Sequence, residues 1–283
     1  MLQGFYHPRT IAEATALLAQ DPDAKPIAGG ATLVAMLNAR VIEPTALISL
    51  ARIDEIKGFS VLPDGRIRIG AFTRHRETAE CAMALGASAT VRHAASQIAN
   101  PTVRNMGTIG GSISFADPGL DYPAALVAAN AEVEIASAGG TRCVPARAFF
   151  VDWYVTALEP GELVTAVLLP APISAADQGV YIKHARVAGD YATASVAACL
   201  HADGRMRVAV GACGPAPISD DAANALLSGD RSNAAITRAG QLLEQHADPL
   251  DDVRGSAGYR RQLIPRLLLR AVRAVEAAQG GNP

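Results

Sequence analysis

Two glycine-rich segments, about 80 residues apart, constrain the fold of this chain more than any other feature. In the first, the apolar run Pro26-Ile27-Ala28 leads into Gly29-Gly30, and Thr32 can cap the helix predicted to follow. Glycines at such a turn permit positive φ and let the backbone approach a ligand closely. Unpaired N–H groups at the turn and at the helix start can bind an anion such as phosphate. For this segment alone, a tight strand-to-helix turn without a ligand is the stronger alternative.

The second segment, residues 100–114, is rich in small and hydrogen-bonding residues within an otherwise apolar protein. Gly107 and Gly110-Gly111 fall within five positions, with the hydroxyls of Thr108 and Ser112 beside them. We interpret the segment as a loop outside regular structure, because binding an extended polyphosphate would offset the entropy cost of ordering it. A bulged barrel corner is the alternative. Neither segment matches the P-loop or the G-x-G-x-x-G pattern, so ATP hydrolysis and Rossmann-type NAD binding lose support.

An acidic segment follows directly, with Asp117 and Asp121 four residues apart. Asp121 stands where it can cap a helix that begins at Tyr122. Alternatively, one of the two carboxylates accepts hydrogen bonds from the hydroxyls of a ribose or ribityl chain. Because a carboxylate repels a pyrophosphate, we expect these side chains to face sugar alcohols and not phosphates.

The order of the predicted elements favours an α+β fold, because strands and helices mix without strict βαβ alternation. Thr10 and Glu13 form a capping-box pattern before an amphipathic helix. Asp64-Gly65 and Asp203-Gly204 predict hairpin turns. The stretch 170–179, with its prolines and alanines, is the predicted domain boundary. Further helices are predicted at 77–85, 89–99, 221–227, 234–245 and 259–278.

Composition argues against several classes of function. The net charge of −2 and the dispersed cations argue against nucleic-acid binding. No apolar run reaches the roughly 18 residues of a membrane span, and the amino terminus lacks an export signal, which indicates a cytoplasmic protein. The four cysteines are dispersed, and the six histidines have neither metal-ligand spacing nor an apparent carboxylate partner. We therefore expect no metal site in this chain and an organic redox centre if there is one.

These motifs, in this order, resemble the FAD-binding medium subunit of the molybdenum hydroxylases, the carbon monoxide dehydrogenase and xanthine dehydrogenase family. That subunit carries a PCMH-type, vanillyl-alcohol-oxidase-like FAD domain. The resemblance rests on Ala28-Gly29-Gly30-x-Thr32-Leu33, on Thr108-Ile109-Gly110-Gly111-Ser112 and on Ala116-Asp117-Pro-x-x-Asp121. Lys183 and Gly189-Asp190-Tyr191-Ala192 extend it towards the carboxyl end, so that it covers nearly the full length.

The resemblance implies an α+β protein of two domains. A two-lobed PCMH-type FAD-binding domain would span residues 1–176, with lobes at about 1–56 and 57–176. A smaller α+β domain, a sheet packed on helices, would span residues 177–283.

The resemblance also implies a set of FAD-binding residues. Residues 26–33 and 108–112 would hold the diphosphate, Asp121 the sugar-alcohol part, and Lys183 and Tyr191 would reach towards the flavin. For the last two, a solvated strand lysine and a domain-packing aromatic are the alternatives. No catalytic acid, base or metal ligand is expected in the chain. The implied set is Pro26, Ile27, Ala28, Gly29, Gly30, Ala31, Thr32, Leu33, Ile98, Ala99, Thr108, Ile109, Gly110, Gly111, Ser112, Asp117, Asp121, Lys183 and Tyr191.

The implied function is electron transfer within a larger oxidoreductase. The chain would take electrons from a small [2Fe–2S] subunit and pass them to an external acceptor, while the substrate would be hydroxylated on a large subunit that carries the molybdenum cofactor. Two copies of each subunit, a dimer of heterotrimers, are implied. One alternative is a self-sufficient flavin oxidoreductase of the same fold with its own substrate, and another is a non-catalytic anion-binding or scaffold subunit.

Overall fold

The computed structural model describes residues 2–172 and 174–280, and its first lobe is a three-stranded parallel sheet. The central strand is flanked by the two others in the order β1-β3-β2. The elements of this lobe are β1 (Gly4–Tyr6), α1 (Ile11–Gln20), β2 (Lys25–Ile27), α2 (Leu33–Asn38) and β3 (Ala46–Ser49).

The start of α1 confirms the predicted capping pattern, except that the Glu13 carboxylate binds the backbone one residue earlier than expected. The Thr10 hydroxyl accepts a hydrogen bond from the Glu13 N–H at 3.1 Å. The Glu13 carboxylate accepts from the N–H of Arg9, at 2.7 Å, instead of from Thr10. Both bonds satisfy amide groups that have no partner within the helix.

The second lobe is built on a five-stranded antiparallel sheet in the order β4-β5-β10-β6-β7. Every residue of the central strand β10 is buried. The predicted Asp64-Gly65 hairpin joins β4 to β5. Its strands are β4 (Phe59–Val61), β5 (Ile67–Gly70), β6 (Glu132–Ser137), β7 (Gly140–Pro145) and β10 (Leu163–Leu169), with the short pair β8 (Phe150–Asp152) and β9 (Val155–Thr156). Its helices are α3 (His75–Ala79), α4 (Ala89–Ser96), α5 (Pro101–Met106), α6 (Ile109–Phe115), α7 (Tyr122–Ala128) and α8 (Ala146–Phe149).

The interpretation of residues 100–114 as a loop is wrong, because α5 and α6 occupy most of this segment. Asn100 caps α5 by accepting from the Val103 N–H at 3.0 Å. Thr108 caps α6 in the same way, accepting from the Gly111 N–H at 3.2 Å. Two caps therefore hold a segment of weak helix formers in helical form.

The carboxyl-terminal part confirms the expected sheet packed on helices. The antiparallel sheet β11-β12-β13 includes the predicted hairpin around Asp203-Gly204. Side chains of β12 alternate between two cores, because successive residues of a strand face opposite sides. Val196 and Ala198 join the core formed with the carboxyl-terminal helices, whereas Ala197 and Cys199 join the core of the first part. Its elements are β11 (Gln178–His184), β12 (Ala194–Leu200), β13 (Met206–Gly211), α9 (Asp221–Gly229), α10 (Asn233–Gln245) and α11 (Ala257–Gly280).

The α+β class and the arrangement in two domains are thus confirmed. Of the helices described, none combines the length and the apolar character needed to cross a bilayer. The predicted helices at 77–85 and 89–99 are shorter than expected: α3 ends at Ala79 and α4 ends at Ser96. Ala99 then adopts a positive φ of 43°, which is incompatible with a continuing right-handed helix.

Candidate functional site

A cavity of about 360 Å³ lies where the two lobes and the carboxyl-terminal sheet meet. The turn between β2 and α2 lines one side, and the region of α5 and α6 lines another. Asp121 and the segment Gly189-Asp190-Tyr191 complete the wall. Three segments that are distant in sequence therefore contribute to one site.

The two glycine-rich segments touch each other inside this cavity. A Cβ placed on Gly29 would overlap the carbonyl oxygen of Met106 and would lie 3.0 Å from the Cα of Gly107. Backbone packs directly on backbone at this point, so that only glycine fits. The expectation that both segments share one cleft therefore holds.

The first glycine turn presents unpaired backbone donors. In the described part of the chain, the N–H groups of Gly29, Gly30, Ala31 and Thr32 donate to no protein oxygen. Gly30 has a φ of +72°, the conformation expected for this turn. Thr32 makes no side-chain capping bond with α2, contrary to the prediction, and it lines the cavity. Four amides and one hydroxyl are thus available to a ligand.

The second glycine turn differs, because most of its amides already have protein partners. Gly110 donates to the carbonyl oxygen of Ala71 at 2.9 Å. Gly111 donates to the Thr108 hydroxyl at 3.2 Å, and Ser112 donates to the Thr108 carbonyl at 3.0 Å. Within the described residues, the Thr108 N–H alone has no protein partner here, so this turn supplies fewer free backbone donors than expected. Its side chains, including the Ser112 hydroxyl, still line the cavity.

The sequence suggested that Asp121 caps α7. It does not, because its side chain turns towards β11. The Tyr181 hydroxyl donates to its Oδ1 at 2.7 Å, and the Lys183 ammonium lies 3.0 Å from the same oxygen. Burial raises the pKa of Asp121, while Lys183 and the Tyr181 hydrogen bond act in the opposite direction. Asp121 lines the cavity, and the residue as a whole is only 5% exposed.

Lys183 does not line the cavity, but it connects three segments of the cavity wall through hydrogen bonds. Its ammonium donates to Asp121, to the carbonyl oxygen of Gln97 at 2.8 Å and to that of Asp190 at 3.0 Å. These contacts use all three of its N–H groups. A solvated strand lysine is therefore the wrong description, since the side chain is 4% exposed. Tyr191 lines the cavity, with the Arg254 guanidinium 4.8 Å from its ring centroid.

Most of the residues predicted for the site do line the cavity. Four of the predicted residues do not: Ile27, Ile109, Asp117 and Lys183. Ile109 is fully buried, and Asp117 accepts hydrogen bonds from the Gly119 N–H and the Tyr154 hydroxyl at 2.8 and 3.2 Å. Those that do line it are Pro26, Ala28, Gly29, Gly30, Ala31, Thr32, Leu33, Ile98, Ala99, Thr108, Gly110, Gly111, Ser112, Asp121 and Tyr191.

His75, at the start of α3, lines the cavity although no sequence pattern selected it. The ring is 4% exposed, and its Nδ1 lies 3.0 Å from the Tyr122 hydroxyl. Burial, with a smaller contribution from the charge of Arg104, lowers the pKa of His75 from 6.5 to about 4. The imidazole is therefore neutral near pH 7.

Two other histidines have carboxylate partners that the sequence did not reveal. His201 Nδ1 lies 3.3 Å from Asp177, and His246 Nε2 lies 3.0 Å from Asp220. Neither pair lines the cavity at the glycine turns. Across residues 2–172 and 174–280, no group of three or more His, Cys, Asp or Glu side chains is arranged to hold a metal ion.

Comparison with known proteins identifies the family of this chain. Residues 1–172 match the family model for the FAD binding domain in molybdopterin dehydrogenase. Residues 180–275 match the CO dehydrogenase flavoprotein C-terminal domain. The chain belongs to this flavoprotein family. The resemblance drawn from the glycine and acidic motifs is confirmed.

Relatives of this flavoprotein match over nearly the whole chain. The carbon monoxide dehydrogenase medium chain of Afipia carboxidovorans is 34% identical over 280 residues, which is 96% of each chain. The glyceraldehyde dehydrogenase medium chain of Sulfolobus acidocaldarius is 33% identical and covers 94% of this chain and 95% of the relative. The carbon monoxide dehydrogenase structure from Hydrogenophaga pseudoflava matches with a TM-score of 0.92 at 33% identity and covers 98% of both chains. This flavoprotein is therefore an oxidoreductase subunit of the molybdenum hydroxylase family.

The cavity of this flavoprotein also contains residues that the sequence reasoning missed. Gly107, Gly189 and Asp190 belong to motifs that were recognised, so they could have been predicted as site residues from the sequence. Leu163 and Val164 begin an apolar strand, and nothing local distinguishes them from core residues. The missed residues are Lys25, Met36, Leu50, Ala71, His75, Val103, Gly107, Ser114, Phe115, Leu120, Leu163, Val164, Gly189 and Asp190.

The lowered pKa of His75 predicts that acid destabilises the flavoprotein. The unfolded chain binds a proton at His75 near pH 6.5, whereas the folded chain does so only near pH 4. Because the unfolded state binds more protons between these values, the free energy of unfolding should fall as the pH drops through this window, by roughly 3 kcal/mol in total. Urea unfolding of the cofactor-free chain at several pH values measures this loss. His75→Gln, which does not titrate, should lack this component, and an unchanged pH dependence would contradict the assignment.

Proposed function

We propose that this chain is the FAD-binding electron-transfer subunit of a multisubunit molybdenum-containing dehydrogenase. It takes electrons from a partner [2Fe–2S] subunit and passes them to an external acceptor. Support comes from its membership of the flavoprotein family and from full-length similarity to medium chains of dehydrogenases.

One observation carries the cofactor assignment: among the described residues, four amides at the Gly29-Gly30 turn have no protein partner, and the residues that bear them line the cavity. Unpaired backbone N–H groups in successive residues of such a turn suit the oxygens of a diphosphate. The cavity volume of about 360 Å³ lies in the range of ordinary cofactor and ligand sites. The residues present therefore fit FAD.

Each wall of the cavity has a distinct role in holding the cofactor. The turn from Gly29 to Thr32 binds the diphosphate, and the Ser112 hydroxyl adds a donor from the opposite side. Asp121 accepts from a sugar hydroxyl, because a carboxylate offers about four acceptor positions and its protein partners leave some of them free. Ile98 and Tyr191 provide apolar surface.

Other predicted residues act without lining the cavity. Lys183 fixes Asp121 and the neighbouring backbone, and Ile109 supports the second glycine turn from the core. When bound, FAD supplies the ability to exchange electrons singly or in pairs, while the protein sets its position and potential. No side chain of this chain is assigned as an acid or base for an organic substrate.

The proposed complex contains two further kinds of subunit. A large subunit carries the molybdenum cofactor and the substrate, and a small subunit carries [2Fe–2S] clusters. We propose a dimer of such heterotrimers in the cytoplasm. Within this chain, we propose that residues 1–176 form the FAD domain and that residues 177–283 form the accessory domain.

The test is purification of the chain with and without its partner subunits. The expected result is a yellow protein with one FAD per chain, whose flavin is reduced by the organic substrate only when the partner subunits are present. Reduction by substrate in the isolated chain would instead favour a self-sufficient flavin oxidoreductase. A colourless chain that does not bind added FAD would overturn the cofactor assignment and favour a scaffold role.

A further inference from the structure

His75 reaches the point where the two glycine turns meet. A Cβ built on Gly107 would lie 2.5 Å from His75 Nε2, so this ring nitrogen stands directly over the Gly107 Cα. Gly107 is also the residue whose Cα packs against Gly29. Within the described residues, His75 Nε2 makes no hydrogen bond, and His75 lines the cavity. The nitrogen is therefore available to a ligand next to the unpaired amides.

Tyr122 determines which nitrogen of His75 carries the proton. The Tyr122 hydroxyl is fully buried, and burial raises its pKa well above the usual range, so that it stays protonated. A buried hydroxyl must donate its proton to some acceptor; besides a hydrogen bond with Thr78 that lowers its pKa, the partner of the Tyr122 hydroxyl in the described structure is His75 Nδ1, at 3.0 Å. Nδ1 is thus the acceptor, and the neutral ring carries its proton on Nε2.

The second glycine turn has few free hydrogen-bond donors of its own. The amides of Gly110, Gly111 and Ser112 are already bound to Ala71 and Thr108, so that among the described residues the Thr108 N–H is the one backbone donor of this turn left without a partner. Arg104, a nearby cation, donates through Nη1 to the carbonyl oxygens of Ile98 and Ala99 at 2.7 and 2.8 Å, and it does not line the cavity. His75 Nε2–H is a free donor on this side of the cavity, together with the Ser112 hydroxyl.

We propose that His75 is a cofactor-binding residue whose Nε2–H donates a hydrogen bond to the diphosphate of FAD, with Tyr122 holding the ring in the required tautomer. The proposal rests on the proposed function, because it requires FAD in this cavity. It adds a side-chain donor at the second glycine turn, where the sequence predicted backbone donors.

Two substitutions at His75 separate the roles of its nitrogens. The amide of His75→Asn lies near the former Nδ1 and is too short to reach the Gly107 side, whereas the amide of His75→Gln reaches the former Nε2 position. We expect His75→Asn in the full-length chain to raise the Kd for FAD by about tenfold or more, as for loss of a hydrogen bond to a charged group. The Kd for riboflavin, which has no phosphate, should not change. His75→Gln should restore part of the FAD affinity.

Flavin fluorescence titration measures both dissociation constants, and His7→Asn is the matched control because His7 is exposed and lies outside the cavity. Equal weakening of FAD and riboflavin by His75→Asn, or no weakening of either, would overturn the diphosphate assignment. A wild-type chain that binds no FAD would overturn the proposed function and this assignment with it. Wild-type binding with an unaffected His75→Asn variant would overturn this assignment alone.

A second measurement needs no variant. In the wild-type chain labelled with ¹⁵N-histidine, the NMR spectrum should contain a neutral imidazole protonated at Nε2 whose signal moves on addition of FAD but not of riboflavin. An imidazole in the cavity that is protonated at Nδ1, or one that responds equally to both flavins, would contradict the proposal.

Discussion

Replacing Gly29 with alanine is expected to abolish FAD binding and to lower the free energy of unfolding by about 1–3 kcal/mol, the usual cost of overpacking. The added methyl group would overlap the carbonyl oxygen of Met106. Because both sides of this contact are backbone, no rotamer change relieves it. The two glycine turns must separate, which moves the unpaired amides of residues 29–32 away from the opposite wall. Flavin content after purification and urea unfolding measure the two effects.

Gly139→Ala is the matched control for this substitution. Gly139 lies in the exposed turn between β6 and β7, and a Cβ there would meet nothing closer than the Ser137 hydroxyl at 3.5 Å. Its stability should stay within about 0.5 kcal/mol of the wild type, as for most surface changes, and its FAD content should be normal. If Gly29→Ala retained wild-type FAD affinity, the contact between the turns would not be what organises the site.

Local sequence signals predicted the fold where the stabilising contacts are also local. The Thr10–Glu13 cap and the Asp64-Gly65 hairpin each depend on residues within a few positions, and both appear in the structure. The α+β class follows from the order of such elements. The glycine turns were recognised for the same reason, because strand, glycines and hydroxyl residue are adjacent in the chain.

The prediction failed where tertiary contacts override local preference. Glycine, serine and threonine are weak helix formers, so residues 109–115 did not indicate a helix. In the structure, Ile109 and Ile113 are fully buried, and their burial stabilises α6 despite its composition. Asp121 was a plausible cap by position, yet its partner Tyr181 lies 60 residues further along the chain.

His75 shows the same limit within the candidate site. Its role depends on Tyr122, 47 residues away, and on the approach of Gly107. Neither contact leaves a periodic or motif-like trace in the sequence. Residues that bind through a backbone turn can thus be found from the sequence, whereas a side chain that enters from a neighbouring helix cannot.

Replacing Lys183 with methionine is expected to lower the free energy of unfolding by about 3–5 kcal/mol, because it leaves the Asp121 carboxylate buried without a cation. The two side chains are only 4% and 7% exposed, so water does little to compensate. The carbonyl oxygens of Gln97 and Asp190 also lose their donor. Lys57→Met is the control, since Lys57 pairs with Asp54 at the surface and such exposed pairs contribute little to stability.

The double variant Asp121→Asn, Lys183→Met separates charge from positioning. It removes both charges while the Tyr181 hydroxyl keeps an acceptor, so most of the lost stability should return. The carbonyl oxygens of Gln97 and Asp190 remain unpaired in the double variant, and these residues adjoin Ile98 and Tyr191 in the cavity wall. We therefore expect FAD affinity to be lower than in the wild type in both the single and the double variant, whereas the free energy of unfolding recovers in the double variant. Recovery of both together would mean that Lys183 serves only to neutralise Asp121, and recovery of neither would mean that the ion pair is not the source of the loss.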